Sequence, residues 1–230
     1  MTLLTIFLCT PVDSLAQRQK VKNLPKYDKQ KVHFGFLLGI NTSGFRVDRV
    51  GNFNQLDSLY VADADKQAGF NLGIVANLRI SENFDLRFVP DLAFTQRNID
   101  YTFYDAGTMV GVTTKEIEST YLQFPLLVKF KSNRINNYRA YVIAGFKYGI
   151  DMVSQAKVEN KDKEFVKLSK QDYGYEIGFG FDFYLERFKF SPEIKMYNGI
   201  KNLLVDDPKI FSSSLESLRS KTFMISLLFE

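Results

Sequence analysis

From residue 32 onward, large apolar residues fall on alternate positions, the period of a β-strand. Eight segments carry the pattern. In 32–42, Phe34, Phe36, Leu38 and Ile40 oppose Gly35, Gly39 and Asn41. In 67–80, Phe70, Leu72, Ile74, Ala76, Leu78 and Ile80 alternate with Gly69, Asn71, Gly73, Asn77 and Arg79. The third segment starts at Phe84 and sets Leu86, Phe88, Leu92 and Phe94 against Asp85, Arg87, Asp91, Thr95 and Arg97. The remaining five are 117–130, 138–151, 172–185, 188–198 and 221–229; the sixth segment repeats Tyr173, Tyr175, Ile177, Phe179, Phe181, Phe183 and Leu185 without interruption.

One face of every segment is apolar and nearly free of charge. The other carries glycine, asparagine and charges of both signs. A soluble ligand-binding barrel turns its large apolar residues inward. A membrane barrel turns them to lipid and keeps its polar face inside. Run lengths near the 9–11 residues that a membrane strand needs favour the second arrangement. Connections alternate between short (81–83, 131–137, 186–187) and long (43–66, 98–116, 152–171, 199–220), as expected for periplasmic turns and extracellular loops. The predicted fold is all-β, an eight-stranded antiparallel transmembrane up-and-down β-barrel of the small outer-membrane type. An even strand number puts both termini on the periplasmic side. Pro90, Pro125 and Pro192 fall inside strands three, four and seven, where each removes a ladder donor; bulges are expected there.

Parity places Arg79, Asp85, Arg87, Asp91, Arg97, Lys129, Lys147, Asp151, Asp172, Glu176, Asp182, Glu193 and Lys195 in the lumen. Eight strands leave an interior only wide enough for side chains. Isolated buried charges cost several kcal/mol each, so these groups are expected to pair with one another or with trapped water as a structural plug. A proton or ion path is the alternative, and no spacing supports it. Luminal glycines (Gly145, Gly149, Gly174, Gly178, Gly180) leave room for long cationic side chains.

Composition narrows the class further. Of 230 residues, 15% are aromatic and 24% charged, with a mean hydropathy of −0.15. That is too polar for a helical membrane protein but suits a barrel, whose every second strand residue can be polar. The net charge is +4. Basic residues cluster at 18–31 and 157–170, but no nucleic-acid reader motif accompanies them, so no nucleic-acid partner is expected. Residues 3–9 form a short apolar run followed by Ser14-Leu15-Ala16-Gln17. The run is too short to span a bilayer. It reads as a signal peptide over 1–16 with cleavage after Ala16; an ordinary buried N-terminal strand is the alternative. The single cysteine, Cys9, lies in this segment, preceded by Phe7 and Leu8, which do not suit a lipidation site. Residues 17–31 then form a basic periplasmic arm and 32–230 the barrel, in the outer membrane of a Gram-negative bacterium.

Candidate chemistry is sparse. The only histidine, His33, opens the first strand on the glycine and charge face, and reads as a satisfied interfacial or luminal residue rather than a base. Carboxylates such as Asp85 and Asp91 have cations beside them and read as ion pairs. Gly178-Phe179-Gly180 has no helix after it and is not a phosphate loop. No metal-ligand spacing appears. The chain is read as a non-enzyme with no cofactor, no metal and no small-molecule substrate.

Several stretches carry a family resemblance. They are Asn23-Leu24-Pro25-Lys26-Tyr27-Asp28, leading into His33-Phe34-Gly35-Phe36; Leu86-Arg87-Phe88-Val89-Pro90; Phe124-Pro125-Leu126-Leu127; Asn136-Asn137; Tyr141-Val142-Ile143-Ala144-Gly145; Phe190-Ser191-Pro192-Glu193-Ile194-Lys195; and the terminal Ser220-Lys221-Thr222-Phe223. From about residue 23 to 230 the chain resembles the PorT family, small outer-membrane barrels tied to type IX protein secretion and gliding motility. The Phe-Pro-Leu-Leu and Tyr-Val-Ile-Ala-Gly elements recur in many small barrels. The arm and the Phe-Ser-Pro-Glu-Ile-Lys strand are more specific. The resemblance implies a non-catalytic component of the secretion machinery, with outer-membrane lipid and other type IX components as partners. Asn23, Leu24, Pro25, Lys26, Tyr27 and Asp28 are the candidate partner-binding residues. The alternatives are a passive anchor or adhesion barrel acting through extracellular loops, and a narrow pore.

Overall fold

A computed structural model of the chain describes residues 21–49, 59–105, 108–153, 168–205 and 215–230. The proposed signal peptide, Cys9 and most of the second basic cluster lie outside these residues. The strands are β1 (Val32–Arg49), β2 (Leu59–Arg79), β3 (Phe84–Phe88 and Asp91–Asp105), β4 (Thr108–Lys131), β5 (Tyr138–Asp151), β6 (Gln171–Tyr184), β7 (Lys189–Gly199) and β8 (Leu215–Phe229). Each pairs antiparallel with its sequence neighbour, and β8 returns to β1. The result is a closed up-and-down ring of eight strands, as the alternation predicts. Closure leaves the membrane-level ladder without an open edge, a requirement for backbone in hydrocarbon.

The faces separate as parity predicts. Phe34 and Ile40 are each 69% exposed on the outside, whereas Asp182 inside is 0% exposed. The exterior carries cross-strand aromatic pairs, among them Phe36 with Phe229, their ring centroids 4.9 Å apart, and Phe70 with Phe94 at 4.5 Å. Such pairs each add a few tenths to about 1 kcal/mol to the ladder. This exterior rules out the soluble barrel with an apolar interior.

The prolines do not produce bulges. Ala76 faces Phe88 before Pro90, and Gly73 faces Asp91 after it, so no residue is inserted. Pro125 faces Lys147 and Pro192 faces Leu227, both in unbroken register. The carbonyls still work: Ile74 donates its N–H to the Pro90 oxygen at 3.0 Å, and Val89 donates to the Pro125 oxygen at 3.2 Å. Only the reciprocal bond from each proline nitrogen is missing, a loss of about 1 kcal/mol apiece. The register shifts that do occur lie at the end far from the termini, at Asp48/Arg49, Leu59/Val61, Lys66/Phe70 and Phe103/Tyr104.

The predicted long connections also need correction. Most of 98–116 is strand: β3 and β4 stay paired up to Asp105 and Thr108. β1 likewise runs to Arg49, and β2 begins at Leu59. These extensions rise beyond the apolar band. There the apolar–polar alternation of the sequence fades, although Thr, Ile and Tyr keep β-propensity high.

Candidate functional site

The lumen is filled by side chains in layers. Nearest the termini, Asp182 accepts hydrogen bonds from Lys129 (2.8 Å), Arg139 (3.0 Å) and Ser191 (2.7 Å). Glu230 pairs with Lys189 at 2.9 Å and with Arg87 at 3.4 Å. Lys131 pairs with Asp85, which also accepts from Asn77 at 3.0 Å. The next layer joins Arg87 to Glu193 at 2.9 Å, with the Tyr141 hydroxyl donating to the same carboxylate oxygen at 2.8 Å. Lys195 lies 3.4 Å from Glu193 and 3.2 Å from Glu176, and Glu176 is 3.1 Å from Lys147. Two lysines rest on rings as well as anions, Lys129 over Tyr141 and Lys147 over Tyr197.

Glycine makes part of this possible. A Cβ on Gly180 would lie 2.5 Å from the Tyr141 hydroxyl, and one on Gly178 would lie 2.9 Å from the Lys195 side chain. Gly180 therefore admits a tyrosine ring rather than a cation, whereas Gly178 admits the lysine as expected.

The far half is looser. Asp91 accepts from Asn71 at 2.7 Å, and Asn71 in turn accepts from Asn41 at 2.7 Å. The Arg97 guanidinium lies over Phe45 and Tyr121. Asp91, Arg97, Asp151 and Asp172 form no ion pair with a described residue, although all four are buried. Arg97 Nε, Gln123 Oε1, Asp172 Oδ1, Asn198 Nδ2 and Ser220 Oγ have no hydrogen-bond partner in the described protein. A small polar cavity between Asn41, Thr95, Gln123, Lys147, Tyr197 and Thr222 separates this half from the ionic layers.

Of the thirteen predicted luminal charges, twelve are buried inside. Arg79 is the exception. It sits half-buried at the mouth and donates to the Asp28 and Ser81 carbonyls, because it is the last residue of its strand. The luminal set predicted from sequence also omits Lys131, Arg139, Lys189 and Glu230, which hold the layer nearest the termini, and the inward tyrosines Tyr141, Tyr184 and Tyr197. Parity was the available signal for the odd-numbered residues in this group. Tyr184 and Glu230 keep the even parity of Asp182 and Leu228 on their own strands, so the same signal extends to them.

The arm is not a free tail. Its residues fold over the terminal mouth around a short 3₁₀ turn, Tyr27–Lys29. Leu24 holds a left-handed backbone conformation (φ 49°), which turns the chain into the mouth. The Asn23 N–H donates to Asn137 Oδ1 at 2.9 Å, and its side chain donates to the Tyr184 carbonyl at 3.0 Å. The Tyr27 ring stacks on His33 with a centroid distance of 3.8 Å, and its hydroxyl donates to Glu230 at 2.9 Å. Burial and the Glu230 carboxylate push the Tyr27 phenol up, so it remains a proton donor. Asp28 pairs with Arg134 at 3.1 Å and Arg139 at 3.2 Å, and accepts from the Tyr184 hydroxyl at 3.1 Å. Burial opposes ionisation of Asp28, but Arg139, Arg134 and Tyr184 together hold its carboxyl below the usual range. Pro25 and Lys26 face outward and exposed.

A closed eight-strand ring with an apolar exterior and an ionic core defines an outer-membrane β-barrel. The chain matches the outer membrane protein beta-barrel domain over residues 15–205 and belongs to that family. This membership puts it in the outer membrane of a Gram-negative bacterium, in contact with membrane lipid. No curated protein matches the chain. Among solved structures it is similar to Neisserial surface protein A (12% identity, 86% of this chain and 98% of that one, TM-score 0.46). It is also similar to OprG from Pseudomonas aeruginosa (12% identity, 87% and 95%, TM-score 0.43). A third is Ail, the attachment invasion locus protein of Yersinia pestis, solved with the heparin analogue sucrose octasulfate (12% identity, 87% and 99%, TM-score 0.39).

Proposed function

We propose that this barrel is a non-enzymatic component required for assembly or operation of the type IX protein secretion system and gliding motility, with both termini in the periplasm. The observation that carries this reading is a convergence of elements behind the PorT resemblance. The Asn23–Asp28 arm and the Asn136-Asn137 turn are over a hundred residues apart in sequence, yet Asn23 hydrogen-bonds Asn137 directly. The Phe-Ser-Pro-Glu-Ile-Lys strand sends Glu193 into the ion layer directly behind them. Elements that co-occur in a resemblance and meet in space form one unit, and that unit lies on the face that carries the termini.

The test is a null mutant scored for secreted cargo retained in the periplasm, with the intact chain supplied in trans. Retention relieved by the intact chain is expected. Normal secretion by the null mutant would end the proposal. A second reading has its own observation: the tall β2–β4 wall beyond the apolar band suits an anchor or adhesion barrel that acts through its far end. Under that reading, trimming the β3–β4 hairpin produces the phenotype and altering the arm does not. A lumen packed with Arg87, Lys129 and Lys195, each at most 2% exposed, does not favour a pore.

A further inference from the structure

The terminal mouth has the form of a receptor with a ligand already in it. On the barrel side, Arg139, Arg134, Glu230 and His33 are each anchored without help from the arm. Arg139 is held by Asp182 at 3.0 Å. Arg134 lies over the Tyr184 ring at 3.7 Å and donates to the Asn136 carbonyl (2.8 Å) and Asn137 Oδ1 (2.9 Å). Glu230 is fixed by Lys189 and Arg87, and its backbone pairs with that of Lys189. His33 is set by the β1–β2 ladder opposite Asn77. The result is two adjoining subsites. One is a cationic pocket for a carboxylate, made by Arg134, Arg139 and Tyr184. The other is a slot for a phenol ring, made by His33, Lys189 and Glu230.

On the arm side, few groups enter. Tyr27 fills the slot, Asp28 fills the cationic pocket, and Asn23 caps the Asn137 turn, while Lys22, Pro25, Lys26, Lys29 and Gln30 remain exposed. The Asp28 side chain is itself 34% exposed. The arm's regular structure amounts to one three-residue turn, and besides these side chains its backbone at Val21, Asn23 and Asp28 is held, by Asn137, Arg134 and Arg79. A segment with no fully buried residue in its turn and only part-buried bonds to the barrel belongs to the part of a protein that opens first.

We propose that this mouth is an exchangeable peptide-binding site, and that it takes in trans an extended segment of a partner protein bearing an adjacent aromatic and acidic residue, with the chain's own Tyr27-Asp28 as the resident competitor. The chemistry of the site selects that ligand. Two guanidinium groups and a phenol hydroxyl recognise a carboxylate by charge-assisted bonds. The flat stack on His33, ending at a hydrogen-bond acceptor, recognises a tyrosine. The competition follows from tethering: four residues lie between Tyr27 and Val32 at the start of β1, and a short tether holds a ligand at an effective concentration on the order of millimolar. A free ligand therefore enters only when the resident pair is weakened or displaced. This goes beyond the secretion reading and does not depend on it.

The test uses the full chain in detergent and a fluorescent peptide of residues 21–31, read by anisotropy, with a heat-dependent gel shift to certify the folded barrel. Wild type is expected to bind the peptide poorly. The double variant Tyr27→Ala/Asp28→Ala, whose socket is vacated, is expected to bind it. Adding Arg134→Ala, or changing the aspartate in the peptide to alanine, is expected to weaken binding about tenfold or more, the scale of a lost hydrogen bond to a charged group. If the double variant does not fold, Asp28→Asn alone weakens the resident arm and serves in its place. The proposal is overturned by a folded, vacated barrel that ignores the peptide. It is equally overturned by wild type binding as well as the vacated form, or by indifference to Arg134→Ala. Peptide binding with normal secretion in the null mutant would leave this proposal standing and remove the secretion role.

Discussion

The two halves of the lumen solve the same problem in opposite ways. Both bury charge within an eight-strand ring. Near the termini, Asp182, Glu230, Glu193 and Glu176 each touch two or more cations, and a tyrosine or serine takes up a further lone pair on three of them. Beyond Lys147, Asp91, Arg97, Asp151 and Asp172 lie buried without an ion pair to a described residue. An ion sealed in protein needs a counter-ion and full hydrogen bonding. An ion near a hydrated opening can be satisfied by water, which costs little to immobilise. The dense half is also the half that the arm closes. Behind the closed mouth Glu176 and Glu193 keep Lys195 within 3.4 Å, although one oxygen of each lacks a hydrogen bond.

This contrast is most severely tested at Asp182. Asp182→Asn strips the counter-charge from Lys129 and weakens the hold on Arg139, which keeps Asp28. The expected loss is about 3–5 kcal/mol, the usual cost of leaving a buried partner unpaired, read as a lower denaturant midpoint for the heat-dependent gel shift. A loss below the effect of Asp172→Asn would reverse the assignment of the two halves.

Water access gives the next largest difference. A cysteine at Thr222, beside the cavity, is expected to react quickly with a small charged thiol reagent. One at Ser191, bonded to Asp182, is expected to stay unlabelled in the folded barrel. Equal labelling at the two positions would show the terminal half to be wet.

A smaller effect falls on the closure itself. Asp28→Asn removes two ion pairs at a partly exposed site, so only about 1 kcal/mol of arm docking is expected to go. The pH dependence has a definite sign. The docked carboxyl titrates below an unfolded aspartate, whose pKa is about 3.9. Its contribution is therefore complete above that value and disappears as pH falls through the lower docked value. A spin label at Lys26→Cys should gain mobility under that acid titration, while in Asp28→Asn it should be mobile at neutral pH. The smallest effect belongs to the loose half: Asp172→Asn is expected to cost under about 1 kcal/mol, because Asp172 has no ion pair with a described residue and its neutralisation strands no described cation.

Much of this was legible along the chain. Strand identity, ring size and the inward set from Asp85 to Lys195 follow from period 2 alone, because a side chain that alternates between lipid and a narrow lumen has no third environment to choose. The same rule failed where its premise failed. At 98–116 the alternation in the sequence fades, so the hairpin reads as a loop. At Arg79 the strand ends, and the side chain meets the Asp28 and Ser81 carbonyls at the mouth. The prolines misled for another reason: a bulge is one remedy for a missing donor, but here the rest of the ladder keeps its register and simply forgoes that bond.

Pattern by itself settled that these strands close into a membrane ring with charge inside, since hydrocarbon and a sealed core reject opposite kinds of side chain. It could not settle which charge meets which, or that Tyr27 and Asp28 turn back into the mouth. Those outcomes depend on stagger between strands and on contacts such as Asn23 with Asn137, between residues brought within bonding distance only after the ring has closed.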